Sequence, residues 1–430
     1  MSKTEWYLDF VDLGYEPSDD DLIALFRVEP APDISIEEAV GRVASESSIG
    51  TWTTLTTMTP EKRRLMAKAY EIHGNWVKIA YPLDLFEEGN VPQILSSIAG
   101  NIFGMKAIAN LRLEDVSWPE KLLRSFKGPQ FGIKGIRKIF GVEKRPLTAT
   151  VPKPKVGMSS EEHANAGYEA WVGGIDLLKD DENLSGQKFN QFERRALKSF
   201  EMREKAERET NEKKSYLINV TAETKEMIRR AKLVKELGGE YVMVDILTAG
   251  WAGVQSLRDE CEELKLAIHA HRAFHAAFTR NPKHGMSMLS VAKVSRMIGV
   301  DQLHIGTVIG KLESPKEEVL NLQKEITERE VEGGENVLPQ KWHVIKPVFP
   351  VISGGLHPGL IPELIQMLGK EIIIQVGGGI WGHPMGGRAG AMAVRHAIDA
   401  AIEGVSLEEK SKSSIELRRA LEKWGYTKPK

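Results

Sequence analysis

The chain has 430 residues, 41% of them hydrophobic, and its 58 Lys and Arg against 60 Asp and Glu leave a formal charge of −2. That length exceeds what one hydrophobic core supports, which predicts two domains, and the charge balance excludes a global field for nucleic acid or an acidic membrane. A single cysteine, Cys261, excludes an intrachain disulfide framework and a multi-cysteine zinc site. With no signal core in MSKTEWYLDFVDLGYEP and no run near the ~18 apolar residues of a span, a cytoplasmic protein without membrane or nucleic-acid partners is expected.

Residues 1–135 mix strand-like runs at 6–10, 22–28 and 77–81 with amphipathic helical spacing at 36–45 and 91–98, an α+β pattern. The stretch FKGPQFGIKGIRKIFGVEKRP is rich in Gly and basic residues and reads as a linker wrapped over a surface. From Leu147 the rhythm changes. Eight short apolar runs follow (LTATVPKP, GIDLLKDD, YLINVTAE, YVMVDILT, LAIHAHRA, QLHIGTVI, VFPVISGG and EIIIQVGGG), separated by helical stretches. Eight strands with helical crossovers predict a closed (β/α)8 TIM barrel over 136–430, with a C-terminal helical extension. The charged segment 192–214 reads as a solvated exterior helix.

In a barrel the reactive groups gather at the carboxyl ends of the strands. Polar residues recur there: Lys153 and Lys155 after strand one, then Lys179, Asp181 and Glu182, Asn219, Asp245, His271 and Arg272, His304, Ser353, and finally Gly377 and Gly378. Period-two alternation puts Lys179 and Asp181 on one face and turns Asp180 away. A solvated salt-bridge loop and a Mg2+ anchor both fit these acids. ISGGLHPG and VGGGIWGHPMGG, after strands seven and eight, suit a phosphate site as well as plain tight turns, and Arg272 with His304 suits a second anion. HAHRAFH carries His269, His271 and His275; a zinc site and a general base are both open. In GTVIGKLES, Gly306 and Gly310 read as hinges of a lid tipped by Lys311, or as an exposed loop.

These motifs, with ESSIGTWTTL, GNIFGMKAI, LRLEDV and KPKVG, occur in an order that resembles the large subunit of ribulose-1,5-bisphosphate carboxylase/oxygenase, RuBisCO, most like the archaeal form III type. The resemblance implies a ferredoxin-like α+β domain before the barrel. It also implies carboxylation of ribulose 1,5-bisphosphate by CO2 to two 3-phosphoglycerate, with O2 as a competing substrate and the sugar coming from AMP salvage. Lys179 would carry an activating CO2 as a carbamate (N6-carboxylysine) and, with Asp181 and Glu182, hold Mg2+. Catalytic roles carry over to Lys153, Lys155, His271, Lys311, Glu46 and Asn101. Substrate contacts carry over to Thr51, Trp52, Lys153, Arg272, His304, Ser353, Gly354, Gly355, Gln375, Gly377 and Gly378. A homodimer with its site at the subunit interface is implied, rings of dimers are compatible with it, and no small subunit is expected. Val151, Pro152 and Ile305 depart from the plant pattern. A RuBisCO-like enolase of methionine salvage is the alternative, weighed down by the retained Glu46, Asn101, Lys153, Lys311 and Ser353.

Overall fold

The computed structural model describes residues 3–309 and 315–426 and divides into two compact units. The first comprises Met1–Gly128, Phe274–Ile298 and Glu328–Lys346. Its strands Leu22–Pro30, Lys68–His73, Trp76–Tyr81 and Ile108–Ser117 alternate with helices Ile36–Glu46 and Val91–Ile98. The first strand lies between the third and the fourth, antiparallel to both, and the second pairs outside the third. That strand–helix–strand–strand–helix–strand order is the ferredoxin-like arrangement. One expected strand is a helix: Trp6, Tyr7 and Phe10 are buried while Leu8 is exposed, which is helical spacing, and the chain coils over Lys3–Leu8. Helix Met288–Ile298, which lies in the sequence between the fifth and sixth of the eight apolar runs, belongs to this unit, where Lys293 Nζ meets Asp115 Oδ1 at 2.7 Å with both side chains wholly buried.

The second unit holds eight parallel strands: Leu147–Thr150, Leu177–Lys179, Ser215–Leu217, Tyr241–Asp245, Ala267–His271, Gln302–Gly306, Phe349–Ser353 and Ile373–Gln375. The eighth pairs with the first, and a parallel bridge between Asn219 and Met243 closes the ring between the third and the fourth. Nearly every strand residue is buried, as expected of strands covered on both faces.

The Gly-rich connector is no passive linker. Ile133, Ile136 and Phe140 form an apolar stripe on helix Gly132–Phe140, and Ile136 and Phe140 join Leu147, Leu177, Tyr241, Ala267 and Phe349 in a core at the amino ends of the strands. Asp301 Oδ1 accepts from the Phe131 and Gly132 N–H groups at 2.7 and 2.9 Å, so the helix plugs the floor of the barrel. Among the described residues no helix is long and apolar enough to cross a membrane.

Candidate active site

Lys179 ends the second barrel strand with its side chain wholly withdrawn from solvent. Nζ donates to the Asp180 carbonyl at 2.8 Å and lies 4.0 Å from Glu182 Oε2. Burial, the largest influence, pulls the amine's pKa down; Glu182, Asp245, Asp181 and Asp180 oppose it, and burial prevails. Asp181 presents Oδ1 to the Asn183 backbone N–H and side-chain amide at 3.1 and 3.0 Å, and Oδ2 to Lys153 Nζ at 3.3 Å. Burial raises its pKa, but those hydrogen bonds and the two lysines outweigh burial and hold it below the usual range.

Asp180 does turn away, into a pocket of donors. Arg195 Nη2 and Nε reach its Oδ2 at 3.1 and 3.2 Å, the Asn219 N–H donates to the same oxygen at 2.9 Å, and the Tyr216 hydroxyl and His163 Nε2 meet Oδ1 at 2.5 and 3.1 Å. Helix Phe192–Thr210 is therefore not solvated all round: Phe192, Arg195, Ala196, Ser199 and Phe200 face inward. Sequence reading missed Arg195 because one arginine among four in so charged a helix carries no mark of its inward direction.

His271 sits between two acids. Ala273 N–H donates to its Nδ1 at 3.1 Å, and Asp245 Oδ1, buried and without a hydrogen-bond partner, lies 3.4 Å from the same nitrogen. Its Nε2 faces Glu182 Oε2 at 3.7 Å. Burial and then the Lys179 cation lower its pKa, against the pull of the acids. Neighbouring Arg272 is half-buried; desolvation brings it down to about 10, so it remains a cation at neutral pH. The zinc reading of HAHRAFH does not hold in this geometry, since His269 is committed to Gln302 and His304, and His275 to Thr279.

A cavity of about 590 Å3 opens at these strand ends, lined by Lys153, Asp181, Glu182, His271, Ser353, Gly354, Gly355, Gln375, Gly377 and Gly378. Gly354 and Gly355 take φ of +119° and +68°, which glycine adopts without strain. Gln375 Oε1 has no hydrogen-bond partner, an acceptor suited to a ligand hydroxyl. His357 and Trp424, which the sequence did not single out, complete the wall and stack with ring centroids 6.0 Å apart; Trp424 comes from the C-terminal helix Ile415–Trp424. Lys155 is exposed and outside this lining, and buried His304 reaches Ser353 Oγ with Nδ1 at 2.9 Å. Lys311 lies outside the described residues. In the first unit, Glu46 ends its helix exposed, Trp52 is 64% exposed, Asn101 is exposed, and the Thr51 carbonyl accepts from Trp6 Nε1 at 3.0 Å.

Among the described residues no three His, Cys, Asp or Glu side chains gather as a metal site. Two carboxylates and one lysine do gather, and they fit a hard divalent cation on one condition: the lysine nitrogen must bear a carboxylate, turning a repelling ammonium into a third oxygen donor. The low-lying amine of Lys179 meets the chemical requirement for that change, because only the neutral form is nucleophilic.

Functional groups concentrated on the carboxyl ends of the strands define the class, a TIM-barrel enzyme. The model of the ribulose bisphosphate carboxylase large chain catalytic domain matches residues 132–424, and that of its N-terminal domain matches 9–122. The chain belongs to the ribulose bisphosphate carboxylase large-chain family, on its archaeal side. It is 59% identical to the ribulose bisphosphate carboxylase of Pyrococcus abyssi, over 100% of this chain and 99% of that one, and 52% identical to that of Archaeoglobus fulgidus over 100% of both. The solved dimeric archaeal Rubisco from Hyperthermus butylicus superposes with a TM-score of 0.94 at 53% identity, covering 98% of this chain and 100% of that chain. The sulfate complex of the octameric enzyme from Pyrococcus horikoshii gives 0.92 at 56% identity, covering 99% and 98%.

Proposed function

We propose that this chain is a form III ribulose-1,5-bisphosphate carboxylase, which joins CO2 and water to the sugar bisphosphate to give two 3-phosphoglycerate, with oxygenation as a side reaction. The observation that carries the reading is Lys179, a fully buried lysine of lowered pKa between the carboxylates of a barrel strand end. Its neutral amine adds to an activating CO2: an N–C bond forms, one N–H proton leaves, and a carbamate anion replaces the cation. Mg2+ held by Asp181, Glu182 and that carbamate would supply Lewis-acid polarisation of the sugar's C2 carbonyl and C3 hydroxyl.

The chain's own groups do the rest. The Lys179 carbamate takes the C3 proton, and Lys153, paired with Asp181, moves protons at the reacting carbons. His271, aided by Lys155, relays protons during hydration and cleavage, and Lys311 stabilises the carboxylate that forms as CO2 adds. Arg272 and His304 grip one phosphate, and the backbone at Gly354, Gly355, Gly377 and Gly378 approaches the other. Ser353 and Gln375 receive sugar hydroxyls.

Thr51 and Trp52 join the glycines at their phosphate, and Glu46 and Asn101 reach the site from the partner subunit of a homodimer, Glu46 to pair with Lys311. No small subunit belongs to this reading. The sugar bisphosphate comes from AMP salvage in the cytoplasm. Ribulose bisphosphate, Mg2+ and labelled bicarbonate supplied without oxygen should place label in acid-stable phosphoglycerate. Enolisation without fixed label at any temperature below melting would instead indicate the methionine-salvage enolase.

A further inference from the structure

Among the described residues that line the cavity, Trp424 alone comes from neither a barrel strand nor the loop that follows one. It closes helix Ile415–Trp424, which packs on helix Gly387–Glu403 with Leu417 and Ala420 buried. The last turn of this C-terminal helix meets two loops at once. After strand seven, the Trp424 indole stacks on His357 with 27° between the ring planes, and Gly425, at φ +56°, brings its carbonyl so near Gly359 that a Cβ there would strike it. After strand eight, the same indole rests against the His383 ring with centroids 6.3 Å apart, and Lys423 Nζ donates to the Gly382 carbonyl at 2.6 Å. His383 is itself held at both nitrogens: Nε2–H donates to the Glu416 carbonyl at 2.9 Å, and Nδ1 accepts from the Met385 N–H at 3.1 Å.

The two loops have little of their own to hold them in place. Pairing between the seventh and eighth strands ends at Ser353 and Gln375. Beyond it come Gly354, Gly355, Gly377, Gly378 and Gly379, which have no side chain to pack and the most conformational freedom to lose. A loop that must be ordered when its ligand arrives binds it more weakly than one ordered beforehand. An indole is a large rigid face on few rotatable bonds, so ordering it costs little and fixes what it touches. His357 and His383 are both buried, so Trp424 bears on rings that packing already fixes.

We infer that Trp424 is a positioning residue: it clamps the loops after strands seven and eight through His357 and His383, and so sets how tightly their backbone N–H groups take an anion. The affinity of the glycine loops is then a property of the C-terminal helix as much as of the barrel. That the anion is one phosphate of a sugar bisphosphate rests on the carboxylase reading; the clamp does not.

The test is calorimetric binding of inorganic phosphate to the full-length protein, in an Arg272→Leu background that removes the guanidinium of the other proposed anion site. Trp424→Leu should weaken phosphate binding roughly tenfold, and Trp424→Phe, which keeps a ring between the two imidazoles, should stay within about twofold of the parent. Equal losses in the two variants would make the indole N–H a ligand contact and overturn the inference. Unchanged binding in Trp424→Leu, or no phosphate binding by the parent, would overturn it too. Gly359 lies outside the cavity lining, and Gly359→Ala pushes the helix end off the seventh-strand loop. That variant should weaken phosphate binding in the same direction; unaltered binding there counts against the clamp even if Trp424→Leu fails to fold. In the enzyme, Trp424→Leu should raise KM for ribulose bisphosphate roughly tenfold with a smaller change in kcat, and Trp424→Phe should restore it. Weakened phosphate binding in Trp424→Leu, with a wild type that fixes no label, would leave the clamp standing and remove the carboxylase reading instead.

Discussion

Arg195 and Asp180 face each other 3.1 Å apart with both side chains at 0% exposure, on the far side of the strand end from Lys179. This pair, with Tyr216, His163 and the Asn219 N–H, fastens the backbone between Lys179 and Asp181, two of the three residues that would hold the proposed cation. Asp180→Ala leaves a buried guanidinium uncompensated and should cost about 3–5 kcal/mol in chemical denaturation. Arg195, His163 and Tyr216 outweigh burial and hold the Asp180 carboxyl well below the usual range. A depressed carboxylate contributes stability that is complete above its unfolded value of about 3.9 and is lost as pH falls toward its folded one. The wild type should therefore lose stability more steeply below pH ~4 than Asp180→Ala does; parallel acid melting curves would contradict this.

Lys179 should acquire a carbamate signal when the protein is given 13C-labelled CO2 with Mg2+, and Lys179→Ala should show neither that signal nor CO2-dependent activity. Because burial lowers the amine's pKa, the neutral form accumulates at lower pH than it does for a free lysine. Activation should rise with pH and level off below the ordinary lysine range. A midpoint at or above the ordinary value would mean that the surrounding acids, not burial, govern this amine.

Lys153 Nζ lies 3.3 Å from Asp181 Oδ2, a cation beside a proposed ligand. Lys153→Met should lower kcat at least about a hundredfold through loss of proton transfer. Mg2+ affinity, measured by calorimetry in the presence of CO2, should hold or improve, since a repelling charge has gone. Loss of both together would make Lys153 a structural support for Asp181.

Gly379 lies where the loops after strands seven and eight meet: a Cβ there would stand 2.4 Å from the Leu356 carbonyl oxygen and 2.8 Å from His357 Cα. Both are backbone atoms, so the loops must part. Gly379→Ala should cost about 1–3 kcal/mol and raise KM for the bisphosphate more than it lowers kcat. Unchanged KM would show that the cradle tolerates the shift.

If Glu46 serves the partner's barrel, coexpressed Glu46→Gln and Lys179→Ala chains should complement, because each mixed dimer contains one intact site. Activity should return to about a quarter of wild type when the two chains pair at random. Complete absence of rescue in purified mixed dimers would place Glu46 with its own barrel.

The alternation of short apolar runs with helical stretches was sufficient to determine the barrel from the sequence alone, because each strand of a parallel sheet is buried on both faces and reads as an uninterrupted hydrophobic run. Position at the carboxyl end of a strand was likewise enough to single out Lys153, Lys179, Asp181, His271 and Ser353. Direction was legible where strand alternation set it, as for Asp180, and not elsewhere. That Arg195 turns inward, that Ile136 and Phe140 plug the floor, and that His304 backs Ser353 all depend on which neighbours the closed ring brings against them. Only the tertiary structure decided the direction in which the Lys179 pKa is pushed. Its sequence neighbours are acids that favour the ammonium, whereas complete withdrawal from water favours the amine, and burial is a property of the folded barrel rather than of any local stretch.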